Sequence, residues 1–325
     1  MKIAIIGAGS SYTPELATGL IEHESELSLD LVACFDIDSR RLEVVTGFCR
    51  RMAAARGARF EFEPTNDIER ALEGASFVLT QIRVGGQQAR HSDIKLGLDN
   101  DLIGQETTGI GGFAKAMRTI PVLVDLCRKI DARCPDAWLV NFTNPSGLVA
   151  EALMRHGRER VIGLCNIPIN LHHDVAALLG VEPWRVEIDS FGLNHLSWVR
   201  GIRVDGREVL PELFDRVLAA GLPANLSDEL DYPGEFLRAL GMIPSGYLRY
   251  YYLRRRMLRK LKAQPRTRAE QVMELEKKLF SHYADESRTE PPAELSSRGG
   301  ALYSRAALDV VLSLLLDRKD RQVLD

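Results

Sequence analysis

The apolar run Lys2–Ile6 stops at Gly7-Ala8-Gly9-Ser10-Ser11. After a strand and before a helix, a turn of this kind suits the binding of a pyrophosphate. Glycine at 7 and 9 lets the backbone turn tightly and approach the phosphates closely, and Ser10 and Ser11 lead into a helix N-terminus that favours negative charge. A second apolar run ends at Asp36, where a carboxylate binds both ribose hydroxyls and rejects a 2′-phosphate. The cofactor expected from Gly7, Gly9, Ser10, Ser11 and Asp36 is therefore NAD rather than NADP, with Asp38 a competitor for the ribose. The third glycine of the usual fingerprint is missing, and Tyr12 stands in its place. Two glycines and an acid also fit a plain turn followed by a helix cap. The order strand, turn, helix, strand, acid favours the dinucleotide.

Local pattern supplies the elements that hold this turn. Strands are expected at Lys2–Ile6, Leu29–Phe35, Phe77–Ile82, Trp138–Phe142 and Val161–Leu164, as short apolar runs bounded by turn residues. Helices are expected at Pro14–His23, Ser39–Arg56 (with Ser39 as N-cap) and Val149–His156. Strands alternating with helices predict a doubly wound parallel sheet with right-handed crossovers, a Rossmann domain over residues 1–165. Val186–Phe191 and Ser197–Val204 alternate as antiparallel strands, with Asp205-Gly206 as a hairpin turn. From Leu226 onward the pattern is mostly helical, broken at Pro244 and around Pro291-Pro292. Residues 166–325 are thus expected to form a second, mixed α/β and largely helical domain, as in the lactate/malate dehydrogenase architecture.

The bulk composition narrows the partners. The 325 residues are 45% hydrophobic and 27% charged with a net charge of -3, so nothing points to nucleic acid or an anionic membrane. Five widely spaced cysteines do not form a disulfide framework, and the N-terminal apolar run is too short for a signal peptide or membrane span. A cytoplasmic protein acting on a small molecule is the expectation.

The string Gly7-Ala8-Gly9-Ser10-Ser11-Tyr12-Thr13-Pro14-Glu15-Leu16 resembles the opening of glycoside hydrolase family four, the NAD-dependent glycosidases. Further matching segments follow in order: Arg83-Val84-Gly85-Gly86, Gly104-Gln105-Glu106-Thr107-Thr108-Gly109 and Asn141-Phe142-Thr143-Asn144-Pro145. They continue with Gly163-Leu164-Cys165-Asn166, Gly192-Leu193-Asn194-His195, Tyr247-Leu248-Arg249-Tyr250-Tyr251 and Arg298-Gly299-Gly300. The resemblance spans essentially the whole chain. Cys165-Asn166 and Ile243-Pro244 before Tyr247 look most like the 6-phospho-β-glucosidase branch, since α-specific members tend to carry aspartate after the cysteine.

That resemblance implies a chemistry that does not rest on two carboxylates. Transient oxidation at sugar C3 makes the C2 proton acidic; a base removes it, the aglycone leaves C1, water adds, and the hydride returns. The implied base is Tyr247, with Tyr250 the second choice and Asn166 a further catalytic position. A phenol near pKa ~10 needs a neighbouring metal or cation, such as Arg249, to act near neutral pH. Cys165 and His195 match the family's metal ligands, and the metal implied is a divalent ion, Mn²⁺ in most members. Read by position alone, Cys165 is as well explained as a buried core cysteine and His195 as a core histidine. Arg83 is placed at the cofactor, and Asn144, Glu106, Arg90, Lys95 and Arg298 at the substrate, with Asn194 a further candidate. The family's oligomers imply a homodimer or homotetramer.

Two segments depart from the pattern. Ser92-Asp93-Ile94 stands where the branch carries Arg-Asp-Glu, which leaves Arg90, His91 or Lys95 as cations for a 6-phosphate and keeps a non-phosphorylated β-glycoside open as the substrate. Members also run on well past the Arg298 motif, whereas this chain ends at Asp325, so a C-terminal segment of the family is expected to be missing. Two other readings stay open from the residues: a lactate- or malate-type 2-hydroxy-acid dehydrogenase and a non-catalytic NAD-binding protein.

Overall fold

The computed structural model describes residues 1–220, 232–298, 303–319, 322 and 324. Its first sheet contains β1 (Lys2–Ile6), β2 (Leu31–Phe35), β3 (Glu61–Thr65), β4 (Phe77–Thr80), β5 (Trp138–Asn141) and β6 (Val161–Gly163). The strands run parallel in the order β3-β2-β1-β4-β5-β6. This is the dinucleotide-binding order, with the switch point beside β1 where the glycine turn lies. Between the strands run α1 (Thr13–Glu22), α2 (Glu24–Leu27), α3 (Ser39–Ala55), α4 (Ile68–Leu72), α5 (Gly86–Asp99), α6 (Gly109–Arg133) and α7 (Ser146–Arg155).

The unbroken apolar character of β1 follows from burial on both faces. Ile3 and Ile5 join a core with α1 and α3, while Ala4 and Ile6 join a second core with Leu123, Leu126 and Ile130 of α6 and Val149 and Leu153 of α7. Full burial of each large aliphatic side chain stabilises the fold by about 1.5–3 kcal/mol. Asp38, not Ser39, caps α3: its extended backbone lets the carboxylate accept from Arg41 N at 3.0 Å. Ser39 is instead the first helical residue. Strand β3 has no counterpart among the expected elements. It is an edge strand, Glu61-Phe62-Glu63-Pro64-Thr65, in which Phe62 alone is fully buried and Pro64 is tolerated because the sheet ends there.

After β6 come α8 (Asn166–Leu179) and an antiparallel sheet of β7 (Val186–Leu193), β8 (Leu196–Val204), β9 (Arg207–Glu208) and β10 (Ile243–Pro244). Asp205 and Gly206 turn the chain from β8 to β9 with φ of 50° and 80°, the type I′ signature expected of Asp-Gly. A second, unexpected hairpin tip, Asn194-His195, joins β7 to β8. The helices α9 (Leu210–Ala220), α10 (Gly234–Leu240), α11 (Arg249–Tyr252), α12 (Arg254–Ala263), α13 (Arg268–Ala284) and α14 (Tyr303–Leu316) follow. The helical expectation over 226–231, and Gly299-Gly300 of the last motif, lie outside the described residues.

The last two helices return to the first sheet. Tyr283 of α13 stacks on Phe48 of α3 with ring centroids 4.8 Å apart, and Tyr303 of α14 meets Tyr12 edge-on at 5.5 Å. Tyr12 thus fills the position of the missing third glycine with an aromatic contact to the C-terminal part of the chain. Among the described residues, no helix is long and apolar enough to cross a membrane.

Candidate active site

The glycine turn leaves β1 with Gly7 at φ +94°, and the amides of Gly7 and Ala8 both donate to Phe35 O at 2.9 Å. Gly9 is required for a different reason. Its amide donates to Asp36 Oδ2 at 2.8 Å, and a Cβ there would stand 2.8 Å from the same oxygen. The carboxylate expected at the ribose therefore also organises the turn, and its Oδ1 accepts from Asp38 N at 3.0 Å. Asp38 itself is used as the α3 cap. Gly7, Gly9, Ser10, Asp36 and Arg83 line a groove of about 960 Å³ beside exposed Ile37. Ser11 does not line it. This residue is fully buried, and its hydroxyl donates to Glu276 Oε1 at 3.1 Å, so it braces the turn from behind instead of contacting the groove.

A second and larger cleft, about 1560 Å³, opens between α5, α8, the β7–β8 hairpin, β10 and α13. Cys165 enters it from the carboxyl end of β6, directly before α8. His195 enters from the hairpin tip, held at φ +62°, a left-handed conformation uncommon outside glycine and typical of functional sites. Its Nε2 lies 3.5 Å from Cys165 Sγ. Bond lengths of about 2.3 Å to sulfur and about 2.1 Å to nitrogen place two ligands of one ion roughly 3.1–3.6 Å apart, so the pair fits a shared divalent ion. Burial pulls the His195 imidazole down to about 4, against the opposing pull of Glu106, and so keeps it in the neutral, ligating form. No group of three or more His, Cys, Asp or Glu residues converges on such a site among the described residues. Cys165 and His195 are the residues that would hold such an ion, and both line the cleft.

Tyr247 sits in a short 3₁₀ turn after β10, its ring stacked on His195 with centroids 3.8 Å apart and planes at 14°. Burial pushes its phenol up, with the Thr107 hydroxyl opposing. Of the neighbouring tyrosines, Tyr250 also lines the cleft. Tyr250 OH accepts from Arg249 Nη2 at 3.0 Å, Tyr252 OH accepts from Trp198 Nε1 at 3.1 Å, and Tyr251 points to solvent. Arg249, expected as an aid to Tyr247, is thus bonded to Tyr250.

Along the wall of the groove lies a buried ion cluster. Glu106, 6% exposed, pairs with Arg83, with Arg90 Nη2 at 2.8 Å and with Lys115 Nζ at 2.8 Å. Although burial alone would raise its carboxyl, the three cations hold it well below the usual range. Burial lowers Lys115 to about 8 and Arg90 to about 10. Glu106, expected at the sugar, therefore has both oxygens engaged by protein cations. Lys95 lines the cleft and pairs with Asp99 at 2.7 Å. Asp93 does not face the cleft; it is buried and clamps Arg118 with two bonds of 3.2 and 2.7 Å.

Six residues line both cavities: Arg90, Asn144, Cys165, Asn166, Tyr247 and Arg298. All six were expected at a site from the sequence. Lys115 and Glu276 were not. Glu276 had a signal, since it falls on the face of α13 that otherwise buries Val272, Leu279 and Tyr283. Lys115 had none.

The sequence model for family 4 glycosyl hydrolase matches residues 2–181, and that for the family's C-terminal domain matches 190–325. The chain belongs to glycosyl hydrolase family 4. Among its relatives, the 6-phospho-beta-glucosidase of Escherichia coli (strain K12) is 38% identical, over 98% of this chain and 73% of that protein. The 6-phospho-beta glucosidase of Thermotoga maritima, solved with manganese, NAD+ and glucose-6-phosphate, superposes with a TM-score of 0.89 at 37% identity, covering 97% of this chain and 73% of that one. A 6-phospho-alpha-glucosidase from gut microorganisms, solved with NAD and Mn²⁺, gives a TM-score of 0.90 at 26% identity, covering 99% and 76%. This family 4 member is a glycoside hydrolase, and the dehydrogenase and non-catalytic readings give way to it.

Proposed function

We propose that this enzyme hydrolyses 6-phospho-β-glucosides, with NAD in the groove beside Asp36 and a divalent metal, Mn²⁺ as in its relatives, on Cys165 and His195. The observation that carries the reading is the shared wall. Cys165, Asn166, Asn144 and Tyr247 face both cavities, so one sugar ring can meet a nicotinamide, a metal and a base together. When bound, the dinucleotide supplies a hydride acceptor for sugar C3 and the metal a Lewis acid for the C2 and C3 oxygens. Tyr247 then takes the C2 proton, and its stacking on His195 fixes the ring beside the metal ligands. Asn144, at the carboxyl edge of the sheet, holds a sugar hydroxyl, and Asn166 orients the ligands next to it.

Charge supports a phosphorylated sugar. Arg90, Lys95, Arg249, Lys262, Arg268 and Arg298 line the cleft against Asp99, Asp174 and Glu270, in a chain whose net charge is -3. Asn166 after Cys165 and the higher identity to the β-specific relatives support the β linkage. A sugar phosphate is a cytoplasmic metabolite, which supports that location. Exposed Phe113 and Met117 on α6 and Leu148 on α7 are apolar surface that a homo-oligomer would cover.

The test is a panel of p-nitrophenyl α- and β-glucosides with and without 6-phosphate, assayed with NAD, Mn²⁺ and a thiol reductant. Cleavage of the 6-phospho-β-glucoside alone, lost when NAD is removed and without net NADH, is expected. Cleavage indifferent to NAD overturns the reading.

A further inference from the structure

We infer that Glu276 is a positioning residue that couples the dinucleotide groove to the sugar cleft. The residue is 9% exposed and, with Arg41 and Gln87, lines the groove at the point where four parts of the chain meet. Oε1 accepts from Ser11 Oγ at 3.1 Å, from Arg298 Nη2 at 3.2 Å and from Gln87 Nε2 at 3.3 Å. Oε2 stands 3.6 Å from Arg41 Nη2, and Arg41 Nε in turn donates to Gly9 O at 3.1 Å. Arg298 closes a ring, since its Nε donates to Ser11 Oγ at 3.2 Å.

Each partner reaches a ligand surface. Ser11 and Arg41 hold the glycine turn that faces the groove. Gln87 opens α5, the helix that carries Arg90 and Lys95 into the cleft. Arg298 lines both cavities. A dinucleotide that orders the turn fixes Ser11 and, through Glu276, sets Arg298 and the first turn of α5 for the sugar phosphate. The reverse path runs through the same bonds, so each ligand tightens the other by one common factor. A carboxylate with this many donors is hard to replace, because a neutral side chain leaves the buried Arg298 without its counter-charge.

The inference rests on the proposed placement of NAD and sugar phosphate, and its test separates the two. NAD affinity is measured on the full chain with its metal, with and without saturating glucose 6-phosphate, and the reciprocal titration is made. The unaltered protein is expected to show a gain of about fivefold or more, equal in both directions. Glu276→Gln, shown to be folded by circular dichroism, is expected to bind both ligands more weakly with the gain below about twofold. Gln87→Ala removes one half-buried contact to Glu276 and is expected to give an intermediate gain. Independent binding in the unaltered protein, or an undiminished gain in Glu276→Gln or Gln87→Ala, overturns the coupling. Failure of the unaltered protein to bind NAD overturns the placement as well.

Discussion

The proposed role of Tyr247 depends on how a buried phenol is made basic. Burial raises it, and in the proposed site an ion held by Cys165 and His195 would be the cation that favours the phenolate. Tyr247→Phe keeps the ring on His195 and removes the proton acceptor. We expect kcat to fall by about 10²–10⁴ while NAD affinity changes little. Steady-state kinetics and an NAD titration check this, and activity above about a tenth of the original would contradict it. That Cys165, His195, Asn144 and Tyr247 come to one cleft was legible because each stands in a short motif whose neighbours fix its place at a strand end or turn. Ser11 was misplaced for the opposite reason. Sequence puts it in the turn, but only the C-terminal Glu276 and Arg298, far along the chain, decide that it points inward.

Among the elements, the join of α1 to α14 shows how one motif residue serves the fold. Glu15 accepts from Ser304 N at 2.9 Å and from Ser304 Oγ at 2.8 Å, and so caps the first turn of α14. Burial pushes its carboxyl up to about 7 from 4.5, with the two Ser304 bonds opposing. The folded protein holds this proton more tightly than the unfolded chain. Its stabilising contribution is therefore full below about pH 4.5 and is lost as pH rises through about 7. Glu15→Gln preserves an acceptor for Ser304 N without the charge. It should unfold later than the original at pH 8, by about 1–3 kcal/mol, with the difference closing by pH 5. Denaturant unfolding at both pH values measures it, and a difference independent of pH would refute the account. The strands β1, β2, β4, β5 and β6 and the Asp205-Gly206 turn were readable from local pattern. Strand β3 was not, because an edge strand with one buried residue has no apolar run. The Asn194-His195 tip was missed because it lacks the glycine that usually marks so short a hairpin.

Over the whole molecule, the parallel sheet and its nucleotide edge follow from the alternation of elements. The return of α13 and α14 does not, since contacts such as Tyr283 on Phe48 or Arg298 on Ser11 leave no trace in local periodicity. That return encloses the groove and brings Arg298 to the wall where both cavities meet. The cleavage proposed there proceeds through removal of the C2 proton by Tyr247, beside a cofactor that is recycled. The most direct test is hydrolysis of p-nitrophenyl 6-phospho-β-glucoside in D₂O with NAD and Mn²⁺, followed by NMR of the glucose 6-phosphate formed. The account predicts deuterium at C2 of the product, carried back from solvent after the proton is lost. Product that keeps its original hydrogen at C2 would contradict it.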